Sequence, residues 1–177
     1  MPQMPSSTYD NHSGKIPRHL IIREKHAMTD YKPSDYHTVT PYLVVDGAER
    51  LITFIVDVLG GTEIMRIPGP DGRLGHAEVR VGDSVVMLAD PPSPGAITKS
   101  MLHVYVPDSD ATYARAIAAG AISLREPQNE FYGDRMSGVE DALGNQWYFA
   151  THFEDISEEE MARRGAEAAS QAASTAS

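Results

Sequence analysis

Residues 46–61 read DGAERLITFIVDVLGG and contain the clearest periodic pattern in the chain. Apolar residues recur there at i, i+3, i+4 and i+7, the spacing of one helical face: Leu51, Phe54, Ile55 and Val58. Asp46 and Glu49 match a capping box, so Asp46 is predicted to cap this helix. Gly60 and Gly61 predict its end, because glycine readily adopts the left-handed conformation that closes helices.

The sequence on either side of this helix predicts strands, which gives the order βαβββ. Residues 38–45, TVTPYLVV, are rich in β-branched and aromatic residues, and Pro41 suits a strand at the edge of a sheet. After the helix, strands are predicted at 63–67, 75–81 and 84–89, the last two as a hairpin.

The same order of elements returns in the second half of the chain. A strand is predicted at 101–106 and a helix, capped by Asp108, at 109–119. Three strands follow it, at 121–124, 135–140 and 146–151. The second half is therefore predicted to repeat the first.

Boundary residues support this duplication because they recur at nearly one interval. Asp46 to Asp108 is 62 residues, Gly60 to Gly120 is 60, and Gly82 to Gly144 is 62. The predicted organisation is a flexible arm at 1–36 and a domain at 37–152, with modules at 38–90 and 101–152. A C-terminal helix within 153–169 and a disordered tail at 170–177 complete it.

Composition excludes several classes of function. The chain has no cysteine, which rules out thiolate metal sites, disulfides and a cysteine nucleophile. Its formal net charge is −10, which repels the phosphate backbone of nucleic acids. No apolar run is long enough to span a bilayer or to resemble a signal peptide. We therefore expect a cytoplasmic protein that binds neither nucleic acid nor a membrane.

Several stretches, taken in order along the chain, resemble one protein superfamily. They are TVTPYLVVDGA at 38–48, PGPDG at 68–72, GHAE at 75–78, GDSVVMLAD at 82–90, FYGDR at 131–135, GNQW at 144–147 and ATHFED at 150–155. With these motifs the chain resembles the bacterial glyoxalase-like branch of the glyoxalase/bleomycin resistance protein/dioxygenase (vicinal oxygen chelate) superfamily. The resemblance implies an α+β fold of two βαβββ modules, whose curved mixed β-sheet forms a cup with helices on its outer face. It also implies a homodimer and a small-molecule ligand.

Metal-dependent members of this superfamily hold a divalent cation with His, Glu or Gln on the first and last strand of each module. The resemblance places these four positions at Thr40, Met87, Met101 and Tyr148. None of them supplies the imidazole or carboxylate that such a cation requires, so we expect no metal and no other cofactor. A displaced site is the weaker alternative, because strand histidines more often form ordinary hydrogen bonds; it would use His76, Glu78, His103 and His152.

Strand alternation predicts which side chains line the cup. The predicted ligand-binding residues are Thr40, Tyr42, Met87, Met101, His103, Tyr105, Arg135 and Tyr148. Arg135 is either a clamp for a carboxylate or phosphate or a structural partner of Asp134 or Glu140. Residues of the opposite parity are predicted to lie beneath the helices: Leu43, Val45, Leu102, Val104, Val106, Trp147 and Phe149. An aromatic, methionine-rich hollow with a few polar groups is typical of a small-molecule site.

Three functions stay open from the sequence. The first is metal-independent binding of a small organic ligand, as in bleomycin-resistance proteins. The second is a metal-independent lyase or isomerase of small carbonyl compounds, with His103, Glu78 and Tyr148 as candidate catalytic residues. The third is a partner-binding module whose cup is filled by its own tyrosines. Binding is favoured because no nucleophile–base motif replaces the missing metal ligands.

Overall fold

The computed structural model describes residues 30–175, and contacts within the chain divide it into two units, residues 1–33 and 34–177. The helices and strands described below lie in the second unit. Most of the predicted flexible arm, residues 1–29, lies outside the described residues, as do the last two residues of the predicted tail.

The predicted order βαβββ occurs twice. The first module consists of β1 (Tyr42–Val44), α1 (Ala48–Leu59), β2 (Thr62–Pro68), β3 (Leu74–Val81) and β4 (Ser84–Ala89). The second consists of β5 (Met101–Tyr105), α2 (Ser109–Ala118), β6 (Ile122–Asn129), β7 (Asp134–Glu140) and β8 (Gln146–His152). A third helix, α3 (Glu158–Thr175), ends the described chain. The α+β class and the two modules are thereby confirmed, although β1 is shorter and β6 longer than predicted.

Each module forms its own four-stranded mixed sheet, in the strand orders β1-β4-β3-β2 and β5-β8-β7-β6. β1 runs parallel to β4, with Tyr42 opposite Met87, and β5 runs parallel to β8, with His103 opposite Tyr148. Within residues 30–175, no strand of the first sheet pairs with a strand of the second. β1 and β5 are therefore both edge strands, and the edge position predicted for β1 from Pro41 is confirmed.

Helices α1 and α2 share one hydrophobic core with the two sheets. Phe54 of α1 packs against Trp147 of β8, with ring centroids 5.8 Å apart. Arg115 of α2 donates through Nε to the carbonyl of Val58 at 2.9 Å. The residues predicted to lie beneath the helices all belong to this core or pack against it: Leu43, Val45, Leu102, Val104, Val106, Trp147 and Phe149. The predicted alternation is thus confirmed on its buried side, which leaves the other face of each sheet for a site.

The second helix is capped as predicted. Asp108 precedes α2, and its Oδ1 accepts a hydrogen bond from the backbone amide of Ala111 at 2.9 Å. This contact satisfies one of the amides that a helix leaves unpaired at its start.

The prediction that Asp46 caps the first helix was wrong. Gly47 occupies the cap position in the left-handed conformation, and Asp46 instead accepts from Nη2 of Arg73 at 2.8 Å. The amides of Gly47 and Ala48 donate to Oδ1 of Asp90, at 2.9 and 3.1 Å. A residue that is distant in sequence therefore replaces the local cap.

The C-terminal helix is longer than predicted. A disordered tail was expected from residue 170, but α3 continues to Thr175. At its start, Oγ of Ser157 accepts from the amide of Glu160 at 3.2 Å, as the capping pattern there predicted. None of the helices between residues 30 and 175 has both the length and the apolar character needed to cross a membrane.

Candidate functional site

Four hydrogen-bonded polar side chains lie on the face of the first sheet that points away from the helices, and we call them the Glu78 cluster. It consists of Tyr36, Tyr42, His76 and Glu78. The Tyr36 hydroxyl donates to Oε2 of Glu78, while Nε2 of His76 lies 3.1 Å from Oε1. Nδ1 of His76 lies 3.1 Å from the Tyr42 hydroxyl. An ionised carboxylate only accepts hydrogen bonds, so Nε2 of His76 donates to Glu78.

Glu78 is almost completely buried, with 4% of its surface exposed. Burial by itself raises the pKa of the Glu78 carboxyl, but the hydrogen bonds from Tyr36 and His76 outweigh it and hold the pKa below its usual value. The same bond raises the pKa of the Tyr36 hydroxyl. Glu78 is therefore a buried, ionised hydrogen-bond acceptor.

A second polar group lies on the exposed face of the second sheet, and we call it the Asp134 cluster. It consists of Tyr105, Asp134, His152 and Asp155. The Tyr105 hydroxyl donates to Oδ2 of Asp134 at 3.1 Å, and Nδ1 of His152 lies 2.7 Å from Oδ1. Nε2 of His152 lies 3.1 Å from Oδ1 of Asp155. Because both imidazole nitrogens face carboxylates, both donate, and the arrangement suits the protonated ring.

The electrostatics of the Asp134 cluster favour a charged histidine. The hydrogen bonds to Asp134 and then to Asp155 raise the pKa of His152 above its usual value. The bond to Asp134 also raises the pKa of the Tyr105 hydroxyl. Asp134 itself is buried, with 3% of its surface exposed, and no polar side-chain atom buried in the described part of the chain lacks a partner.

Large side chains with apolar surface remain exposed on the two faces that carry the clusters. Met101 is 70% and Tyr105 65% exposed on the second sheet. On the first sheet, Met65 and Ile67 of β2 lie opposite Glu78 and His76 and share their face. Monomeric soluble proteins rarely leave such residues side by side in solvent. These two faces are therefore candidates for covered or ligand-bound surfaces.

The predicted lining residues are divided between the two modules, and all but Thr40, which precedes β1, lie on their sheets. Thr40, Tyr42 and Met87 belong to the first module, and Met101, His103, Tyr105 and Tyr148 belong to the second. Within residues 30–175, no hydrogen bond or ring contact joins the first group to the second.

One cleft of about 400 Å³ does lie between the modules, along the edge of β5. It is lined by His103 and Tyr105 together with Val39 and Pro41. None of the four positions assigned to a superfamily metal lines it, so this cleft differs from the predicted cup.

Arg135 lies on the helix side of its strand. Its Nη2 donates to Oδ1 of Asp110 in α2 at 2.7 Å, and its Nε donates to the other oxygen of that carboxylate. Nη1 donates to Oδ1 of Asn129 at 3.0 Å. A guanidinium engaged in this way fastens α2 to β7, so Arg135 is not part of the site on the other face of the sheet.

The family of the chain follows from comparison with known proteins. A family model described as the Glyoxalase/Bleomycin resistance protein/Dioxygenase superfamily matches residues 36–149, which is more than half of the chain. The chain belongs to this superfamily. Uncharacterized proteins of Mycobacterium bovis and Mycobacterium tuberculosis are 34% identical to it over 135 residues. These matches cover 70% of this chain and 88% and 79% of the two relatives.

Solved structures of this superfamily have the same fold. TioX from Micromonospora sp. ML1 is 27% identical, with a TM-score of 0.57 over 65% of this chain and 98% of TioX. A lactoylglutathione lyase from Agrobacterium tumefaciens is 20% identical, with a TM-score of 0.51 over 67% of this chain and 94% of that protein. The second likeness shows the fold alone. The family and fold predicted from the sequence motifs are thus confirmed.

The four positions that the sequence resemblance assigns to a metal carry poor ligands in this chain. The Thr40 hydroxyl donates to the carbonyl of His37 at 3.1 Å, and the ring of Tyr148 lies over Gly138. The other two side chains, Met87 and Met101, are thioethers, which are weak ligands for hard divalent cations. Between residues 30 and 175, no three histidine or carboxylate side chains gather closely enough to hold a metal ion.

Several residues of the two clusters were missed from the sequence. Tyr36 was assigned to the flexible arm, and Asp134 and Asp155 were not singled out. Alternation along β7 could have placed Asp134 on the face of Gly138, which lies opposite Tyr148. No local signal marks Tyr36.

Proposed function

We propose that the protein binds a small organic ligand, without a metal ion, in a cup that two copies of the chain complete together. The observation that carries this proposal is the exposed face of each sheet. Each face presents aromatic, methionine, histidine and carboxylate side chains, and each lies beside an edge strand, β1 or β5, that pairs with one strand within residues 30–175. A second copy would bring the first sheet of one chain against the second sheet of the other and cover both faces.

Metal-independent action is supported by the donor chemistry of the superfamily positions. Thr40, Met87, Met101 and Tyr148 offer a hydroxyl, two thioethers and a phenol, none of which matches the imidazole and carboxylate ligands of zinc or related ions. No cofactor is part of the proposal. Recognition would rest on shape, stacking and hydrogen bonds, as in most small-molecule sites.

The state of Glu78 favours binding over proton transfer. A general base works best when its pKa lies near the working pH, whereas the pKa of Glu78 is held below its usual value by Tyr36 and His76. Within the described chain, His103 contacts Tyr105, with ring centroids 5.1 Å apart, and does not reach Glu78. The lyase or isomerase reading would therefore need His103 and Glu78 to meet from different copies.

The tyrosines do not support a filled cup. Tyr42 stacks against His76, Tyr105 contacts His103, and Tyr148 lies over Gly138. Their rings are thus spread over two sheets and remain available to a flat ligand, which aromatic rings bind by stacking. A cytoplasmic location stays a prediction from the sequence.

Native mass spectrometry of protein purified without chelator tests this proposal. We expect a dimer, a co-purified or added small molecule, and no stoichiometric metal. Met101→Glu should weaken dimerisation at least about 10-fold, because it places a charge on the covered face. Val56→Glu, on the exposed side of α1, is the matched control and should leave the dimer unchanged. A wild-type protein that is monomeric, a dimer that Met101→Glu does not weaken, or one bound metal ion per chain would overturn the proposal.

A further inference from the structure

Tyr36 lies in a segment that precedes the first strand and forms neither helix nor strand. We call residues 34–40 the strap. Five of its seven residues are exposed, and Tyr36 and Thr40 are half-buried. Its contacts with the sheet include long ones, since Nη1 of Arg80 lies 3.5 Å from the carbonyl of Asp35 and Nδ1 of His37 lies 3.4 Å from the Ser84 hydroxyl. Segments held by few buried contacts open at a low free-energy cost. The hydrogen bond from Tyr36 to Glu78 therefore helps to fasten a largely exposed segment to the sheet.

The Glu78 carboxylate needs the donor that Tyr36 provides. Oε1 is occupied by His76 and Oε2 by Tyr36, and the residue is 4% exposed. A buried carboxylate that loses a donor pays a desolvation cost unless another donor takes its place. The position of the Tyr36 phenol is thus a preformed site for an aromatic hydroxyl.

We propose that the phenol of Tyr36 occupies, in the free protein, the place of a ligand hydroxyl, and that Glu78 anchors neutral phenol-like compounds which displace the strap. This inference rests on the proposed function, because it assigns the ligand class of that same cup. The ligand hydroxyl donates a hydrogen bond to Oε2 of Glu78 in place of the Tyr36 hydroxyl, and no covalent bond forms or breaks.

The surroundings of Glu78 select against anionic ligands. A carboxylate or phosphate brought to this position would face the negative charge of Glu78 in a desolvated site. Apolar surface is supplied by the Tyr42 ring and by Met65 and Met87, which lie on the same face of the sheet opposite or beside Glu78. A neutral ring with one donor matches both features.

Removing the Tyr36 side chain tests the inference with free phenol as the probe. In Tyr36→Ala, phenol measured by isothermal titration or NMR should bind at least about 10-fold more tightly than in the wild type, because the vacated position matches it. Toluene, which has no donor, and benzoate, which is anionic, should gain less. Adding Glu78→Gln to Tyr36→Ala should remove the gain. Tyr113→Ala, which removes a tyrosine on α2 that donates to Ser123, is the control and should bind phenol as the wild type does.

Hydrogen exchange gives a second readout in the unmodified protein. A saturating concentration of phenol should speed exchange of backbone amides in the strap, since the ligand takes the contact that fastens it. Equal phenol affinity in wild type and Tyr36→Ala, or equal gains for phenol and benzoate, would overturn the inference. Those outcomes would leave the dimer and its metal content unaffected, so they separate this inference from the proposed function.

Discussion

The first sheet carries its buried carboxylate, Glu78, in the middle of β3, whereas the second carries Asp134 at the start of β7. Both carboxylates bind one tyrosine and one histidine. In the first cluster the second ring nitrogen of the histidine lies within hydrogen-bonding distance of another tyrosine, and the pKa of the carboxyl stays below its usual value. In the second cluster the histidine lies between two acids, and its own pKa is raised. Similar side chains thus build a hydrogen-bond acceptor on one sheet and, on the other, a histidine whose charged form is favoured.

The two modules also differ in how their helices begin. Asp108 caps α2 from the adjacent position, and the contact is local. Asp90 caps α1 from the end of β4 and also accepts from the amide of Leu74 at 2.8 Å. In the first module one carboxylate, that of Asp90, therefore holds the start of α1 and the start of β3 together. In the second module the cap on α2 is a local contact of Asp108.

Replacing the two capping acids should show the largest difference between the modules. Asp90→Ala leaves three backbone amides without their acceptor, and we expect a loss of about 3 kcal/mol in the free energy of unfolding. Asp108→Ala removes one local cap and should cost about 1 kcal/mol. Urea denaturation followed by circular dichroism measures both. Equal losses would mean that Asp90 acts as an ordinary cap.

Neutralising Glu78 should produce the next largest effect. Glu78→Gln at neutral pH should lower the free energy of unfolding by about 2 kcal/mol, because the amide presents a donor to a donor. The pKa of Glu78 is lowered by folding, so its contribution is complete above the usual value of 4.5 and is lost as pH falls through the lowered pKa.

The stability curves of wild type and Glu78→Gln should therefore converge in acid. Glu126→Gln, an exposed residue of β6, is the matched control and should follow the wild type throughout. Curves that stay parallel down to low pH would contradict the ionised state assigned to Glu78.

The two modules also differ in the residue that pairs with the last strand of each module. Glu78 lies opposite Met87 in the first sheet, and Gly138 lies opposite Tyr148 in the second. A Cβ at Gly138 would lie 2.8 Å from Cε1 of Tyr148, so Gly138→Ala should displace the ring and cost about 1 kcal/mol.

Gly165→Ala is the control for this substitution. Gly165 lies within α3, and an added methyl there would contact Phe131 at an ordinary 3.4 Å, so this substitution should be neutral or slightly stabilising. The near-ultraviolet circular dichroism of Gly138→Ala should change, since Tyr148 moves. An unchanged spectrum and stability would show that the ring is not packed on Gly138.

The smallest expected effect concerns the pH dependence of His152. Folding raises its pKa above the usual 6.5, so its contribution is complete below that value and is lost as pH rises through the raised pKa. The melting temperature of the wild type should fall by a few degrees relative to His152→Gln between about pH 6 and pH 9. His103→Gln should keep the wild-type profile, because the His103 ring contacts Tyr105 and, among the described residues, no carboxylate. A pH profile unchanged by His152→Gln would contradict the proton assigned to this ring.

Much of the fold could be predicted from sequence because its signals are local. The helical spacing of Leu51 to Val58 and the alternation of Trp147 and Phe149 with Tyr148 report which face is buried, and the structure confirms both. The cap on α1 could not be predicted, since Asp90 reaches it only after β4 has paired with β1. Local sequence patterns therefore predict which face of a helix or strand is buried, whereas hydrogen-bond partners distant in sequence depend on strand pairing.

The candidate site was less predictable for the same reason. Alternation placed Tyr42 and Tyr105 among the lining residues, but Tyr36, which bonds Glu78, and Asp155, which bonds His152, come from segments outside the predicted domain. Whether the two faces share one hollow depends on how the modules pack, which no residue pattern within a module encodes. Arg135 faces α2 because of the register between β7 and β8.

Cross-linking between copies tests most directly whether the cup belongs to two chains. The chain has no cysteine, so Met87→Cys and Met101→Cys can be placed singly on copies with different affinity tags. A short bismaleimide cross-linker should join the two differently tagged copies, because the proposed cup brings these positions together. Cross-linking only within a chain that carries both substitutions, with none between copies, would contradict the shared cup.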